Sequence, residues 1–100
     1  MSRRRFLVAA QGLSNDQQSK FTEYTKSNGF GWWHWIDNFW LLTVFGHDEI
    51  TTEVIRDALI DIAPGARSIV MEIVQDKDWS GNGVVGKEMF KWMRDTWAKD

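Results

Sequence analysis

The spacing of apolar and polar positions predicts, for the first half of the chain, a strand, a helix and a two-stranded hairpin. A short apolar run over about residues 4–11 is typical of a central strand. Ser14 then begins a helix as its capping residue, with Gln17 three positions on completing a capping box. Gly29 ends this helix, because glycine adopts the left-handed conformation that commonly follows a helix. The next apolar run, over residues 29–45, is rich in aromatic residues and predicts strands two and three.

The second half of the chain predicts a helix, a strand and a further helix. Thr51 caps the second helix, and Ile50 and Ile55 have the spacing of a hydrophobic staple around that cap. Alternating residues over 67–75 predict a fourth strand. A third helix is expected over about residues 86–99.

The order strand, helix, strand, strand, helix, strand predicts a fold for the whole chain. With right-handed crossovers it gives an α+β, ferredoxin-like βαββαβ sandwich with a four-stranded antiparallel sheet, plus an additional C-terminal helix. The chain has 100 residues, and we expect one domain over residues 1–100.

The aromatic hairpin is apolar on both faces. We expect a turn at Asp37 and Asn38, which pairs Ile36 with Phe39, Trp35 with Trp40, His34 with Leu41 and Trp33 with Leu42. One face then holds Trp33, Trp35, Trp40, Leu42 and Val44, and the other holds Trp32, Ile36, Phe39, Leu41 and Phe45. Sheets in small domains usually pack one face on helices and leave the other in water. Both faces of this hairpin therefore need a cover, from a helix, a second subunit or a ligand such as a nucleic acid.

Composition and charge narrow the classes of function. The chain has seven Trp, no Cys and a net charge of −2. The absence of Cys removes disulfides and thiolate catalysis, and it fits a reducing compartment, so we expect a cytoplasmic protein. The balanced charge disfavours strong nonspecific binding to nucleic acid. The apolar run after Arg3, Arg4 and Arg5 is too short for a signal peptide, and no run is long enough to span a membrane.

The predicted C-terminal helix is the best candidate for covering the second face of the hairpin. Phe90, Met93 and Trp97 form one apolar stripe, and Trp92 lies off it. The helix could fold over its own sheet or pack across a two-fold axis, and exposed edge strands could also pair between subunits. We expect a homodimer.

Several segments of the chain resemble the small proteins labelled SinR-like in bacterial genomes. They are Phe6-Leu7-Val8, Trp32-Trp33-His34-Trp35-Ile36-Asp37, Phe39-Trp40-Leu41-Leu42, Thr52-Glu53-Val54-Ile55-Arg56-Asp57-Ala58-Leu59, Ile69-Val70-Met71-Glu72-Ile73 and Trp79-Ser80-Gly81. That family is grouped loosely with the small CRISPR-associated endoribonuclease and with toxin-like ribonucleases of ferredoxin-like fold, which are commonly dimeric. Short aromatic proteins of proteobacteria and their phages are also similar.

The resemblance implies metal-dependent ribonuclease activity, but one position departs from the family pattern. In those nucleases a metal-binding Asp ends the first strand, and the matching residue here is Gln11. A neutral amide cannot replace a carboxylate as a ligand for a hard metal ion or as a base. The sequence thus leaves enzymatic activity open and favours its absence.

Candidate site residues are those whose side chains could meet a partner. Trp32, His34, Trp92 and Trp97 are candidates for a protein interface, and Arg3, Arg4 and Arg5 are candidates for contact with nucleic acid. His34 is more simply explained as a structural histidine. We identify no catalytic residue, no metal ligand and no cofactor motif, since neither His47-Asp48-Glu49 nor Asp76-Lys77-Asp78 has the spacing of a metal site.

Two functional classes follow from these observations. The first is a noncatalytic binding or assembly protein, a homodimer that contacts an unidentified protein partner through exposed aromatic residues. The second is a metal-dependent ribonuclease or nucleic-acid-binding protein of the CRISPR-associated endoribonuclease type.

Overall fold

The computed structural model describes residues 3–74, 79–83 and 88–98, and it contains four strands, two α-helices and a short π-helix. In chain order these elements are β1 (Arg3–Ala10), α1 (Asn15–Ser27), β2 (Gly31–Ile36), β3 (Phe39–Phe45), α2 (Thr52–Ile62), β4 (Ser68–Ile73) and the π-helix Met93–Trp97.

The four strands form one antiparallel sheet in the order β2-β3-β1-β4. This order follows from two crossovers, one through α1 and one through α2, and it confirms the predicted ferredoxin-like α+β fold. Central strand β1 pairs with β3 on one side and with β4 on the other. Strand β4 therefore lies at one edge of the sheet and β2 at the other.

The predicted helix caps are present. Ser14 Oγ accepts the Gln17 N–H at 3.1 Å, and the Gln17 side chain accepts the Ser14 N–H at 2.9 Å. Thr51 Oγ1 accepts the Val54 N–H at 3.2 Å. These bonds satisfy backbone donors that a helix start leaves without an internal partner, so they fix where α1 and α2 begin.

One face of the sheet, called here the helix face, packs against α1 and α2 and contains the main core. Phe6 and Val8 of β1, Trp40 of β3, Phe21 of α1 and Ile55 of α2 are fully buried there. The rings of Phe21 and Trp40 meet edge to face, with centroids 4.7 Å apart. This core holds the two crossover helices on the sheet.

The predicted pairing within the aromatic hairpin is correct at the turn and wrong beyond it. Ile36 pairs with Phe39 as expected, but Trp33 pairs with Leu41 and Trp32 with Leu42. An irregularity between Trp33 and Ile36 inserts one extra residue into β2, and one extra residue exchanges the faces of all residues before it. Trp32 therefore packs on the main core, and Trp33 lies on the opposite face, called here the outer face.

The C-terminal segment covers part of the outer face within the same chain. Met89, Met93 and Trp97 bury themselves against Trp33, and Phe90 and Trp92 pack at the edge of this outer cluster. The chain itself thus covers part of the second face, as in the alternative in which this helix folds over its own sheet.

Helical structure in the C-terminal segment is described only from residue 91. Parts of the predicted fourth strand and third helix fall on residues outside the described ranges, namely 75–78, 84–87, 99 and 100.

No helix in the described parts of the chain combines the length and the apolar character needed to cross a membrane.

Candidate functional site

A pocket of about 350 Å³ lies on the outer face, between the hairpin and the C-terminal segment. Its lining is Trp33, Ile36, Phe39, Leu41, Trp79, Ser80, Gly81, Asn82, Met89, Phe90 and Met93. We call it the aromatic pocket. Its volume lies within the range of sites that enclose small ligands or single anchoring side chains.

Four aromatic rings form one continuous wall of the aromatic pocket. Phe90 stacks on Trp33 with centroids 5.9 Å apart and planes 17° apart, and Trp79 lies against Phe90 at 5.6 Å. Phe39 meets Trp33 edge to face at 6.3 Å. Offset-stacked and edge-to-face contacts are the favourable geometries for such rings, so the wall is preorganised before any ligand arrives.

Trp33 connects the sheet to the C-terminal segment. Its indole N–H donates to the carbonyl oxygen of Met89 at 2.7 Å, and its side chain is buried. A buried indole N–H needs such a partner, because an unpaired donor there would lose its bond to water. This bond fixes the segment that carries Phe90 against β2.

Gly81 allows the loop to approach the ring of Phe90. A Cβ atom built at residue 81 would lie 2.5 Å from Cζ of Phe90, closer than carbon atoms can pack. Any side chain at this position would push the ring or the loop away. The sequence Trp79-Ser80-Gly81 therefore shapes one rim of the pocket.

The lining of the aromatic pocket determines what it can bind. Among the described residues that line it, none is charged or titratable, and the polar side chains are the Ser80 hydroxyl, the Asn82 amide and the indole N–H groups of Trp33 and Trp79, of which that of Trp33 is already bonded. Such a lining suits an apolar or planar group with one or two hydrogen-bonding atoms.

Two of the three N-terminal arginines hold the C-terminal segment. Arg3 Nη1 donates to the carbonyl oxygen of Thr96 at 2.7 Å, and Arg5 Nε donates to that of Trp97 at 2.6 Å. Cations are favourable where the last carbonyl groups of a helix lack partners. Arg5 is also buried, so its guanidinium faces the protein interior instead of a polyanion.

Arg4 points to the helix face and pairs with β4. Its Nε and Nη2 atoms each lie 3.0 Å from an oxygen of the Glu72 carboxylate, a bidentate arrangement. The Arg4 hydrogen bond is the main cause that lowers the pKa of the Glu72 carboxyl, and the same bond raises the pKa of Arg4. Arg3 and Arg5 thus contact the C-terminal segment and Arg4 contacts β4, and the assignment of all three to a nucleic-acid interface stays a prediction.

The three tryptophans and the one histidine predicted at an interface do not lie together at one surface. Trp32 is partly buried against the main core, and Trp97 is only 5% exposed in the outer cluster. Trp92 lies beside Trp97 with ring centroids 6.1 Å apart, and it is partly buried. Of these three rings, Trp92 and Trp32 retain some surface for contact with a partner.

His34 lies on the helix face in a polar cleft. Its ring stacks on Trp40 with centroids 4.3 Å apart, and Nδ1 lies 2.7 Å from the carbonyl oxygen of Phe39. This contact assigns the proton of the neutral ring to Nδ1, which leaves Nε2 as an acceptor. The cleft, of about 450 Å³, is lined by Asn15, Gln18, Ser19, Thr22, Glu23, His34 and Asp37.

Gln11 lies where the resemblance places a metal ligand. It is exposed just after β1, and its backbone N–H donates to the carbonyl oxygen of Arg67 at 2.9 Å. Within residues 3–74, 79–83 and 88–98, no group of three or more His, Cys, Asp or Glu side chains is placed to hold a metal ion.

The sequence analysis identified several apolar residues that line the aromatic pocket, but it did not predict that they form a pocket. Phe90 and Met93 belong to the predicted apolar helical stripe, whereas Trp79 is named only in a segment that carries the family resemblance. The missing signal was the extra residue in β2, because it alone turns Trp33 toward that stripe.

Comparison of this chain with protein families, with curated proteins and with solved structures finds no match.

Proposed function

We propose that this chain is a small noncatalytic binding and assembly protein, and that the aromatic pocket takes an apolar side chain of a protein partner. The observation that carries this proposal is the uncharged, preorganised wall of four aromatic rings around an open cavity. Buried aromatic pockets of this kind receive the few anchor residues that supply most of the energy at protein interfaces.

The exposed apolar side chains near the aromatic pocket support a protein partner over a small free ligand. Ile36 and Trp35 at the hairpin end are each about half exposed, and Ile36 also lines the pocket. Together they extend the apolar surface beyond the cavity. A partner segment that placed one side chain in the pocket would also cover these neighbours, as interface anchors and their surroundings do.

The proposal includes a homodimer that acts in the cytoplasm. The absence of Cys favours a reducing compartment. Two copies would present two aromatic pockets, so a partner with two anchors would bind with a higher effective concentration for its second contact.

A selection from a random-peptide library tests the proposal. We expect peptides selected on the wild-type chain to share a single bulky apolar anchor and to lose at least about tenfold in affinity on a Phe90→Ala variant, a loss of about 1.4 kcal/mol. Phe45→Ala is the matched control, because Phe45 is an aromatic residue that is 56% exposed outside the pocket. Selected peptides that bind Phe90→Ala as tightly as the wild type would contradict the proposal.

The second candidate function is the metal-dependent ribonuclease or nucleic-acid-binding activity that the family resemblance implies. The observation in its favour is the polar cleft that His34 lines together with Glu23 and Asp37. This candidate predicts magnesium-dependent cleavage of RNA by the purified protein, abolished by His34→Ala. Pocket-dependent peptide binding without such cleavage would favour the binding protein.

A further inference from the structure

Two cavities flank the edge of the sheet that β2 forms, one on each face. No described strand continues the sheet beyond β2. On the outer face, Trp33 and Ile36 of β2 line the aromatic pocket. On the helix face, His34 of the same strand lines the polar cleft. One edge strand therefore contributes a wall to both cavities.

The backbone of β2 directs hydrogen-bonding groups toward its open side. The carbonyl oxygen of Asn38 accepts the Ala10 N–H of β1. Because successive residues of a strand direct their backbone groups to opposite sides, Leu41 of β3 bonds to its partner Trp33 in β2. Trp32 therefore directs its N–H and C=O away from the sheet, and no backbone hydrogen bond from another described segment meets them. A further strand could bind these groups.

The polar cleft carries two carboxylates without a cationic partner. Glu23 of α1 and Asp37 of the hairpin turn both line it. Neither belongs to any ion pair of the described residues. No lysine or arginine is among the described residues that line the cleft. Its charge is therefore complementary to a cationic side chain, which could reach two carboxylates there.

We propose that the protein partner binds as an extended segment that pairs with β2 as a fifth strand of the sheet, with an apolar side chain in the aromatic pocket and a lysine or arginine side chain in the polar cleft. This deepens the proposed function and rests on it. Such strand addition obtains affinity from main-chain hydrogen bonds and specificity from pockets for alternate side chains. Successive side chains of a strand point to opposite faces, so the basic residue lies an odd number of positions from the apolar anchor.

The irregularity in β2 determines where each part of the partner lies. It falls between Trp33 and Ile36, and a bulge of this kind interrupts regular pairing. We therefore expect backbone bonds at Trp32, before the bulge. Trp33 and Ile36 both line the aromatic pocket, so the apolar side chain enters beside the bulge.

Replacement of the two carboxylates tests the polar cleft. The probe is the tightest peptide selected from the random library on the wild-type chain, and we expect it to carry a lysine or arginine at an odd spacing from its apolar anchor. It should bind Glu23→Gln/Asp37→Asn about fivefold more weakly than the wild type, with a smaller dependence on salt. Glu53→Gln/Asp61→Asn is the matched control, because it removes the same charges from α2.

A second peptide, with methionine in place of the basic residue, separates charge from any change of fold. It should bind the wild type and Glu23→Gln/Asp37→Asn equally. An equal loss for both peptides would overturn the role of the cleft. Selected peptides without a basic residue at an odd spacing would overturn it too, as would a probe that binds both double variants with equal affinity.

Amide hydrogen exchange, followed by NMR, tests the pairing at β2. In the free protein the Trp32 N–H should exchange faster than the Trp33 N–H, which bonds to β3. With saturating probe peptide, exchange at Trp32 should slow by at least about tenfold. Unchanged exchange at Trp32 in the complex, or strong protection already in the free protein, would overturn the strand pairing.

The Phe90→Ala variant separates this proposal from the proposed function. Weaker binding of the probe to Phe90→Ala, without an effect of the carboxylate replacements or protection at Trp32, would leave the aromatic pocket as the site and overturn the paired segment. Undiminished binding to Phe90→Ala would overturn the proposed function itself.

Discussion

The two faces of the sheet are closed in different ways. The helix face is covered by two capped helices whose apolar residues interlock with fully buried side chains of β1 and β3. The outer face is covered in part by a short segment that is attached through the indole bond of Trp33 and through two arginines. The comparison shows that the helix face contains the main core, while the outer face leaves a pocket open, where we propose that a partner binds.

The difference follows from the length of the covering elements. Helices α1 and α2 have 13 and 11 residues, long enough to present continuous apolar stripes. The π-helix has five residues and cannot shield a four-stranded sheet. Apolar residues of β4 therefore remain exposed beside it, together with the opening of the aromatic pocket.

The largest expected effect is on the free energy of unfolding, when one phenylalanine on each face of the sheet is replaced by alanine. Phe21→Ala removes a fully buried ring from the main core and should lower the free energy of unfolding by about 3 to 5 kcal/mol. Phe90→Ala removes a partly buried ring from the outer cluster and should cost about 1 to 2 kcal/mol. Urea denaturation measures both. Equal losses for the two variants would show that the outer cover is as essential to the fold as the main core.

A smaller effect concerns the attachment of the C-terminal segment. Arg5→Met removes the buried donor to the Trp97 carbonyl oxygen and should lower the free energy of unfolding by about 1.5 to 3 kcal/mol. Arg56→Met is the control, since Arg56 pairs with Asp57 on the surface and should contribute about 0.5 kcal/mol or less. Limited proteolysis should cut the Arg5→Met protein first near its C-terminus. Unchanged resistance there would mean that the arginine does not hold the segment.

The rim of the aromatic pocket gives a prediction that separates binding from stability. Gly81→Ala places a Cβ atom against the ring of Phe90, so the ring must shift and the pocket must change shape. We expect selected peptides to bind about five to ten times more weakly, a change of about 1 to 1.4 kcal/mol. Phe45→Ala, outside the pocket, is the control by calorimetric titration. Unchanged binding to the Gly81→Ala variant would show that Gly81 does not set the shape of the pocket.

The smallest expected effect lies on the helix face at Arg4 and Glu72. The folded state lowers the pKa of Glu72, so this pair adds stability above the ordinary pKa of a glutamate and loses it as pH falls through the lowered value. Because both side chains are partly exposed, we expect Glu72→Gln to cost only about 0.5 kcal/mol at neutral pH. The difference from the wild type should disappear in acid. A difference that persists at pH 2 would assign the effect to something other than the ion pair.

Local sequence signals were enough to predict the fold. The capping box at Ser14, the cap at Thr51 and the turn at Asn38, which has a φ of 62°, each act within a few residues of the chain. They place the helices and the hairpin, and the crossovers then fix the order of the strands. The predicted sandwich is confirmed for this reason.

The candidate site could not be predicted in the same way. The faces of β2 depend on one extra residue between Trp33 and Ile36, and nothing in the alternation of that aromatic run distinguishes one face from the other. The roles of Arg3 and Arg5 depend on contacts across more than 90 residues of sequence. Positive charge near an N-terminus suggested nucleic acid, whereas these side chains bond to carbonyl groups of their own chain.

Exchange of the tryptophan indole protons with solvent, followed by NMR, tests most directly whether the C-terminal segment covers the outer face. Trp33 donates its indole proton to Met89 and is buried, whereas Trp35 on the same strand is half exposed. The structure predicts that the Trp33 proton is strongly protected and that the Trp35 proton exchanges rapidly. Equally rapid exchange of both protons would contradict the covered outer face and, with it, the aromatic pocket.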